Sequence, residues 1–375
     1  MSASPTDRSG YKSSPIAQVL SPAPRSAWQQ VLETDPGATA LQTTDYFDAV
    51  LKGTGGRDRS RLYIFGDGRR VVLPLVRQKS VPGLCMLAGY PGGFGHGSAL
   101  ASGGLRTADV RAVIEQLRGT AASIRIDGGH HTAEQWSSGR PEGVTASRRR
   151  IDVIDLPGGW QDHFPAGLGR DARYHVRKAQ RRGVEVERDT AGRLIPIFYA
   201  LYLEWVDRWV HRAGLPPVVA RYSALRQEPR SKYETVAAGV GQECRVFIAW
   251  HRGRAVAGCI TLVHGNHAIG WRSYSIKELS APCSANTLVQ ASAICDAATS
   301  GCRYFDLGQS GDAATLQRYK LSLGATPRWA TDVRIETRMI AGARKLTERT
   351  RQWATRVAGT LAPRARVGYG ESGPK

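Results

Sequence analysis

In the second half of the chain, the apolar residues follow a period of two in some segments and of three to four in others, which predicts strands and helices in turn. Residues 245–250, 255–263 and 268–275 predict three consecutive strands, with turns at Arg252-Gly253 and Gly265-Asn266. A helix over 286–300, a short buried strand over 303–307 and a helix that ends at Gly324 are predicted to follow. This succession predicts a mixed sheet flanked by helices.

The first half of the chain shows a similar succession of predicted elements, with a weaker pattern. Residues 44–51 predict a helix that Thr43 or Thr44 caps, and residues 61–65 and 71–76 predict a hairpin around Asp67-Gly68. Residues 123–127 and 151–156 predict further strands. Each half therefore predicts its own α/β unit, and the chain an α/β (α+β) fold.

The length and the chain breakers suggest how these units are divided. With 375 residues the chain is longer than one ordinary domain. Pro157-Gly158-Gly159 breaks the pattern, so we predict an N-terminal domain at 27–156 and a C-terminal domain at 157–336. Residues 1–26, rich in Ser and Pro, predict a disordered tail, and residues 337–375 a basic helix and tail.

The charge of the chain favours anionic partners. Lys and Arg number 52 against 32 Asp and Glu, a formal net charge of +20. This charge favours RNA, anionic lipid surfaces or phosphorylated substrates, although a solvated basic surface explains it as well. One helix, predicted to stop at Gly183, carries Arg170, Arg173, Arg177 and Arg181 on one face. That ridge is either a phosphate-binding surface or a plain solvated helix face.

Cysteine and histidine give no metal signature. The six cysteines form no C-x-x-C pair, which predicts reduced core thiols in a cytoplasmic protein without structural zinc. His130-His131 predicts a surface loop, and His264 and His267 predict exposed hairpin residues. The sequence has no run of 18 apolar residues and no signal-peptide pattern, so we expect no membrane span, although peripheral contact with a membrane stays open.

Three further segments bear on a binding site. The glycine-dense residues 87–97 favour a flexible substrate-facing loop, with a phosphate-binding loop as the alternative, because the next predicted helix starts only at residue 108. The long helix over 194–210 carries Phe198, Tyr202, Trp205 and Trp209 at helical spacing, which is typical of core residues. Asp306 ends a buried strand and Lys320 lies on the next helix, so together they predict a site for a polar reacting group at the sheet edge.

The order of these motifs resembles a known family. The residues that carry the resemblance are Arg173-x3-Arg177-Lys178-Ala179-x2-Arg182-Gly183-Val184, Trp271-Arg272, Asn286-x-Leu288, Gly301-x2-Tyr304-Phe305-Asp306-Leu307-Gly308-x-Ser310 and Tyr319-Lys320-x3-Gly324-Ala325. They look like those of the FemABX peptidyltransferases and their BioF2-like relatives, which have tandem GNAT-like domains. The resemblance covers roughly residues 41–334 and implies acyl or aminoacyl transfer to an amine, with the chemistry in the second domain.

The resemblance also implies roles for individual residues. Tyr319 and Lys320 would stabilise the acyl carbonyl, and Asp306 would orient the amine or accept its proton. The implied substrate-binding residues are Arg173, Arg177, Lys178, Trp271, Arg272, Asn286 and Ser310. From the residues alone, Asp306 as a turn cap and Lys320 as a solvated helix residue stay open.

The resemblance leaves the donor undecided between aminoacyl-tRNA and acyl-CoA, neither of them a permanently bound cofactor. Residues 280–286 lack the glycines with which acetyl-CoA enzymes of this fold hold the pyrophosphate, and this difference favours a tRNA donor. The implied acceptor is an amine on a cell-wall precursor peptide or a small metabolite. The alternative function is a non-catalytic protein that binds RNA or a membrane surface through the arginine ridge and the basic C-terminal helix.

Overall fold

The computed structural model describes residues 14–78, 83–91, 93–158, 167–213, 217–311 and 313–347, and it is an α/β protein built on two sheets. The strands are β1 (Ile16–Leu20), β2 (Arg57–Asp58), β3 (Arg61–Phe65), β4 (Arg70–Leu73), β5 (Val76–Arg77), β6 (Met86–Ala88), β7 (Leu100–Ala101), β8 (Ser123–Asp127), β9 (Thr145–Asp155), β10 (Glu185–Asp189), β11 (Cys244–His251), β12 (Arg254–His264), β13 (His267–Ser275), β14 (Tyr304–Gln309) and β15 (Thr326–Glu336). The helices are α1 (Arg25–Thr34), α2 (Thr44–Thr54), α3 (Thr107–Leu117), α4 (Ala133–Ser138), α5 (Arg170–Arg181), α6 (Ile195–Ala213), α7 (Pro217–Gln227), α8 (Arg230–Val240), α9 (Lys277–Cys283), α10 (Ala285–Thr299) and α11 (Ala314–Ser322). A further helix covers residues 338–347, where the described chain ends, so the rest of the predicted basic C-terminal helix lies outside the described residues.

Local signals set several of these bounds. The Thr43 hydroxyl accepts the backbone N–H of Tyr46 and so caps α2, as the sequence predicted. Gly68 turns the β3–β4 hairpin with φ of +81°, and Gly183 follows α5 with φ of +70°. Both positions have the left-handed backbone that glycine adopts without steric cost.

One large sheet crosses the boundary predicted at residue 156. The strand order is β10-β11-β12-β13-β14-β9-β15-β8-β6-β5-β2, and a second sheet has the order β1-β3-β4-β7. Strand β15, which follows the second unit in sequence, pairs antiparallel with β9 and with β8 of the first half. The two halves therefore share a continuous backbone ladder, and the last described strand of the chain belongs to the first half.

The predicted disordered tail is wrong for residues 14–26. Strand β1 pairs antiparallel with β3, and the Gly66 N–H donates to the Pro15 carbonyl at 3.0 Å. Helix α1 then begins at Arg25 and buries Trp28, Val31 and Leu32. The proline and serine content masked a short strand, which is stable because it joins an existing hairpin edge.

The part of the large sheet formed by the second half of the chain is covered on both faces. Along β12, Ile260 and Leu262 pack with α6 and α8, whereas Cys259 and Val263 pack with α5 and α10 on the opposite face. All six cysteines are free thiols, and four of them are buried, as predicted for core thiols. Across the described helices, none combines the length and the apolarity that crossing a bilayer requires.

Helix α6 corrects one expectation about aromatic residues. Phe198 and Tyr202 are buried as predicted, but Trp205 and Trp209 are 38% and 43% exposed. The helical spacing placed the right residues on one side of α6, but the surface at its C-terminal half is open rather than covered.

Candidate functional site

The candidate site is a gap that opens between two parallel strands. Strands β13 and β14 pair at His267↔Tyr304, Ala268↔Phe305 and Ile269↔Asp306. After Asp306, strand β14 continues along β9 on its other side, with Gln309 opposite Ile151. On β13, the register with β12 shifts by one residue, so that Gly270 and Arg272 are paired with β12 and Trp271 is the extra residue of a bulge. The strands therefore separate at the point where β13 bulges.

Two cavities meet at this gap. The smaller, about 390 Å³, reaches α6 and the first turn of α10, and the larger, about 730 Å³, opens toward the first half of the chain. The residues that line both are Gly270, Arg272, Ser273, Tyr274, Leu307, Leu316 and Lys320. A molecule in one cavity can therefore touch a molecule in the other across this shared wall.

Lys320 lies in the shared wall, and backbone carbonyls hold its amine in place. Its Nζ donates to the carbonyls of Gly308 at 2.8 Å and Gln309 at 2.9 Å, and lies 3.8 Å from Asp152 Oδ2. Burial lowers the pKa of Lys320, and the Asp152 and Asp306 carboxylates oppose that shift. Lys320 is therefore a buried amine fixed at the turn after β14, rather than a solvated helix residue.

Asp306 both caps this turn and lines the cavity. Its Oδ1 accepts the Gly308 N–H at 2.6 Å, and the residue is only 7% exposed. Burial raises the pKa of the Asp306 carboxyl, while the Gly308 hydrogen bond and Lys320 act in the opposite direction. The turn-cap interpretation is thus confirmed as a contact, and the side chain is oriented at the edge of the larger cavity.

Two further sequence candidates meet at the floor of the smaller cavity. Asn286 Nδ2 donates to the Tyr319 hydroxyl at 3.0 Å, and both residues line that cavity with Gln290. Burial raises the pKa of Tyr319 well above its usual value, so this phenol stays protonated. The α10–α11 contact therefore presents a neutral hydroxyl beside Lys320.

The sequence analysis missed a buried charge cluster around Arg272. Glu228 Oε1 accepts from Arg272 Nη2 and from Lys232 Nζ, each at 2.9 Å, and Glu228 Oε2 accepts the Tyr233 hydroxyl at 2.9 Å. Burial lowers the pKa of Lys232 to about 8, whereas Arg272 and Lys232 lower the pKa of Glu228. The spacing of Glu228 and Lys232, four residues apart around Pro229, was the available signal.

The remaining sequence candidates have other positions. Ser310 donates to the buried Asp152 behind Lys320, and Trp271 lines the larger cavity with its indole Nε1 lacking a partner among the described residues. Arg173, Arg177 and Lys178 lie on α5, which packs against α10 and α11, and they line neither cavity. Arg173 donates to the Leu168 carbonyl at 3.0 Å.

The two cavities differ in charge. Among the described residues that line the smaller cavity there is no carboxylate, and the cations are Arg208, Arg272, Lys277 and Lys320. The larger carries both signs, with Arg125, Arg149, Arg272, Arg334, Lys320, Asp127, Asp306 and Asp332. Within it, Arg149 makes a bidentate pair with Asp332 through two contacts of 3.0 Å. The glycine-dense loop also faces this cavity through Tyr90, Gly93, Gly95 and His96.

Three of the histidines are packed together, against expectation. His130, His131 and His267 line a cavity of about 40 Å³, with ring centroids 3.6 Å apart for the first pair and 4.5 Å for His131 and His267. His267 is 3% exposed, so the expected exposed hairpin position is wrong, and His130-His131 is packed rather than a free surface loop. In the described part of the chain, no group of three or more His, Cys, Asp or Glu is arranged to hold a metal ion.

Acid will destabilise the protein through this cluster. Burial lowers the pKa of His96 to about 3, His130 to about 2, His131 to about 3 and His267 to about 4. Since the unfolded histidines titrate near pH 6.5, the unfolded state binds more protons around and below that pH, and the loss of stability per histidine approaches about 1.4 kcal/mol per pH unit as the pH falls from 6.5 to 5. We expect the melting temperature to fall steeply in this interval.

The variant His131→Asn should take up one proton fewer on unfolding, so its stability should depend less steeply on pH than that of wild type. His251→Asn, at the end of β11 and outside the cluster, is the matched control. Denaturant unfolding at several pH values between 5 and 7 gives these slopes. Equal slopes for wild type and His131→Asn would show that the imidazole titrates normally in the folded protein.

Comparison with known proteins identifies the domain. Residues 169–321 match the family described as acetyltransferase (GNAT) domain. The FemX crystal structure superposes with a TM-score of 0.56 at 14% identity, covering 84% of this chain and 96% of that one. No curated protein sequence matches the chain.

Two other solved structures share the fold. A conserved protein of unknown function from Bacteroides thetaiotaomicron gives a TM-score of 0.52 at 11% identity, covering 84% of this chain and 100% of that one. The C-terminal domain of a putative lysylphosphatidylglycerol synthetase from Agrobacterium fabrum gives 0.50 at 11% identity, covering 87% and 95%. At these identities the likeness concerns the fold alone. Residues 169–321 therefore match the acetyltransferase (GNAT) domain family, and the chain has a fold similar to that of FemX, so the resemblance drawn from the sequence is confirmed at that level.

Proposed function

We propose that this protein is an N-acyltransferase, which moves an acyl or aminoacyl group from a thioester or ester donor to an amine. The observation that carries the proposal is the gap between β13 and β14, where two cavities meet at Lys320 within a domain of the acetyltransferase family. Transfer between two bound molecules needs this kind of shared wall, because the reacting atoms must come within about 3–3.5 Å of each other.

The charges in the two cavities support a different substrate for each. The smaller cavity has four cationic side chains in its described lining, and these suit the phosphates of a donor. In the larger cavity, Asp127 and Asp332 pair with Arg125 and Arg149, which leaves the Asp306 carboxylate to attract an amine. The arginines of this cavity suit an acceptor that also carries an anionic group.

Lys320 and Asp306 would have different roles in this reaction. Attack of the neutral amine on the acyl carbonyl forms the new C–N bond and develops negative charge on the carbonyl oxygen, which a nearby ammonium stabilises. Collapse of that intermediate expels the thiolate or alkoxide, and the proton lost by the amine neutralises the leaving group. Asp306, oriented by the Gly308 N–H, is suited to orient the amine or to carry that proton.

The donor and acceptor classes follow from two sources. The acetyltransferase family supports acyl-CoA, and the FemABX resemblance supports aminoacyl-tRNA. In either case the donor is a substrate rather than a permanently bound cofactor. The acceptor is an amine on a cell-wall precursor peptide or a small metabolite, and contact with RNA would use the exposed arginines of α5.

In the test, the purified protein is incubated with labelled acyl-CoA or, separately, with charged tRNA. Each donor is tested with and without a panel of primary amines. We expect consumption of one donor that depends on the amine and produces an amide visible by mass spectrometry. The same donor without amine measures spontaneous hydrolysis and is the control. If folded protein consumes neither donor faster than that control with any amine, the proposal is wrong.

A further inference from the structure

The cavity of about 40 Å³ around the three packed histidines, the histidine cavity, adjoins the larger cavity of the candidate site. His96 and Asp306 line both. The lining of the histidine cavity also includes Asp35 and Gly37, which are only half-buried in the loop after α1. The cavity therefore connects the region of Asp306 with a partly exposed part of the surface.

The strand register places His267 and Asp306 close together along the sheet. His267 is paired with Tyr304, and Asp306 is two residues further along β14, so that Tyr304 and Asp306 share a face. The rings of His267 and Tyr304 stack, with centroids 5.1 Å apart and planes 16° from parallel. Two residues along a strand span about 6.5 Å, a distance that one or two hydrogen-bonded water molecules bridge.

Three imidazole nitrogens of this cavity are buried without a partner among the described residues. They are the Nε2 atoms of His130, His131 and His267. His267 Nδ1 donates to the Ala38 carbonyl at 3.1 Å, so the Nε2 of its neutral ring is an acceptor. Buried polar atoms are rarely left unpaired, and a cavity of this volume has room for about three water molecules.

Acyl transfer to an amine needs an exit for a proton. An alkylamine has a pKa of about 10.4, so it reaches the site at pH 7 as an ammonium ion. It must lose one proton before it can attack, whereas the proton lost after the attack neutralises the leaving group. With substrates bound in both cavities of the gap, bulk water does not reach Asp306 through either of them. The first proton therefore needs another way out.

We infer that the histidine cavity is a proton exit, in which water molecules bound to the three Nε2 atoms carry the first proton of the acceptor ammonium from Asp306 to solvent. The inference rests on the proposed function. Asp306 takes the proton as the N–H bond breaks, and the amine keeps the electron pair. The carboxylic acid passes the proton to the nearest water, the chain of waters releases one proton to solvent, and the carboxylate is restored. The histidines orient the waters and are positioning residues.

Neutral imidazoles suit this role. Burial lowers the pKa of all three histidines, and Arg328 adds to that effect, so they stay uncharged at pH 7. A cationic ring would repel the proton, whereas a neutral ring holds a water molecule by a hydrogen bond. The other titratable groups that face these rings are Asp35, His96, His264, Tyr304 and Asp306.

The experiment compares two acceptors at pH 7, an alkylamine and the alkoxyamine analogue of the same molecule, which is neutral at this pH. The donor is the one that the wild type consumes. We expect His267→Leu to lower transfer to the alkylamine about 10-fold to 100-fold and to change transfer to the alkoxyamine little. The deficit should shrink about tenfold for each pH unit toward the pKa of the amine, because the neutral fraction of the amine grows by that factor.

Two variants and a structure complete the test. His267→Gln supplies an amide oxygen in place of Nε2 and should keep most of the alkylamine transfer, and His251→Leu, at the end of β11 outside the cavity, is the matched control. If His267→Leu does not fold, the half-buried His131 is replaced by leucine instead. A crystal structure of the wild type should show ordered water on these Nε2 atoms.

Equal losses with both acceptors in a folded leucine variant would overturn the proton exit, as would unchanged transfer to the alkylamine or a wild-type cavity that is dry. Failure of the proposed function looks different. In that case the wild type transfers an acyl group to neither acceptor, and the transferase and the proton exit are overturned together.

Discussion

Replacing Lys320 by methionine is expected to lower acyl transfer about 100-fold or more. Methionine is about as apolar as the aliphatic part of the lysine side chain, but it lacks the ammonium that lies in the wall shared by the two cavities. A preorganised donor to a developing oxyanion typically contributes a factor of about 10² to 10³ in kcat. Because the change removes a contact that strengthens in the transition state, kcat should fall while donor affinity changes little.

The control for this variant separates catalysis from folding. Asp152 keeps its contacts to Arg150 at 2.9 Å and to Ser310 after Lys320 is replaced, so the protein should remain folded. Arg318→Ala changes an exposed cation on the same helix and should retain activity. Thermal melts of both variants monitor the fold, and a Lys320→Met protein with wild-type kcat would remove this lysine from the mechanism.

Replacing Glu228 by leucine should cost the protein about 3 kcal/mol of stability. The carboxylate neutralises two buried cations, Arg272 and Lys232, and removing one partner of a buried charge group typically costs about 3–5 kcal/mol. We place the cost at the lower end because the Glu228 side chain is 18% exposed and water screens the charges that remain. Denaturant unfolding measures the loss directly.

A second substitution tests the cause of that loss. In the double variant Glu228→Leu with Lys232→Met, one uncompensated cation is gone, so part of the stability should return. The exposed pair Arg230 and Glu234 on the same helix offers the control, since Glu234→Leu should cost less than 1 kcal/mol. If the double variant is as unstable as the sum of the single variants, electrostatic coupling is not the reason.

Much of the second half could be predicted from its periodic pattern. Strands β11 to β14 and helices α5, α10 and α11 all lie within a few residues of the predicted bounds, because each combines a clear apolar period with a glycine or turn stop. The N-terminal strand β1 could not be predicted, since its stability comes from pairing with β3, a distant segment.

The site was predicted in part, for a physical reason. Lys320, Tyr319, Asp306 and Arg272 belong to motifs close to the gap, and the structure brings them to its walls. Glu228 was missed because its partner Arg272 is 44 residues away, and the burial of His267 was missed because His131 approaches it only through tertiary packing. The α5 arginines show the opposite case, in which a strong local pattern lies outside both cavities.

The most direct test of the account is a crystal structure with an unreactive donor analogue, either a CoA thioether ketone or an amide-linked aminoacyl adenosine. We predict that its carbonyl will lie in the gap between β13 and β14, within hydrogen-bond reach of Lys320 Nζ, with the rest of the analogue in the smaller cavity. An ordered analogue whose carbonyl lies outside this gap would contradict the account.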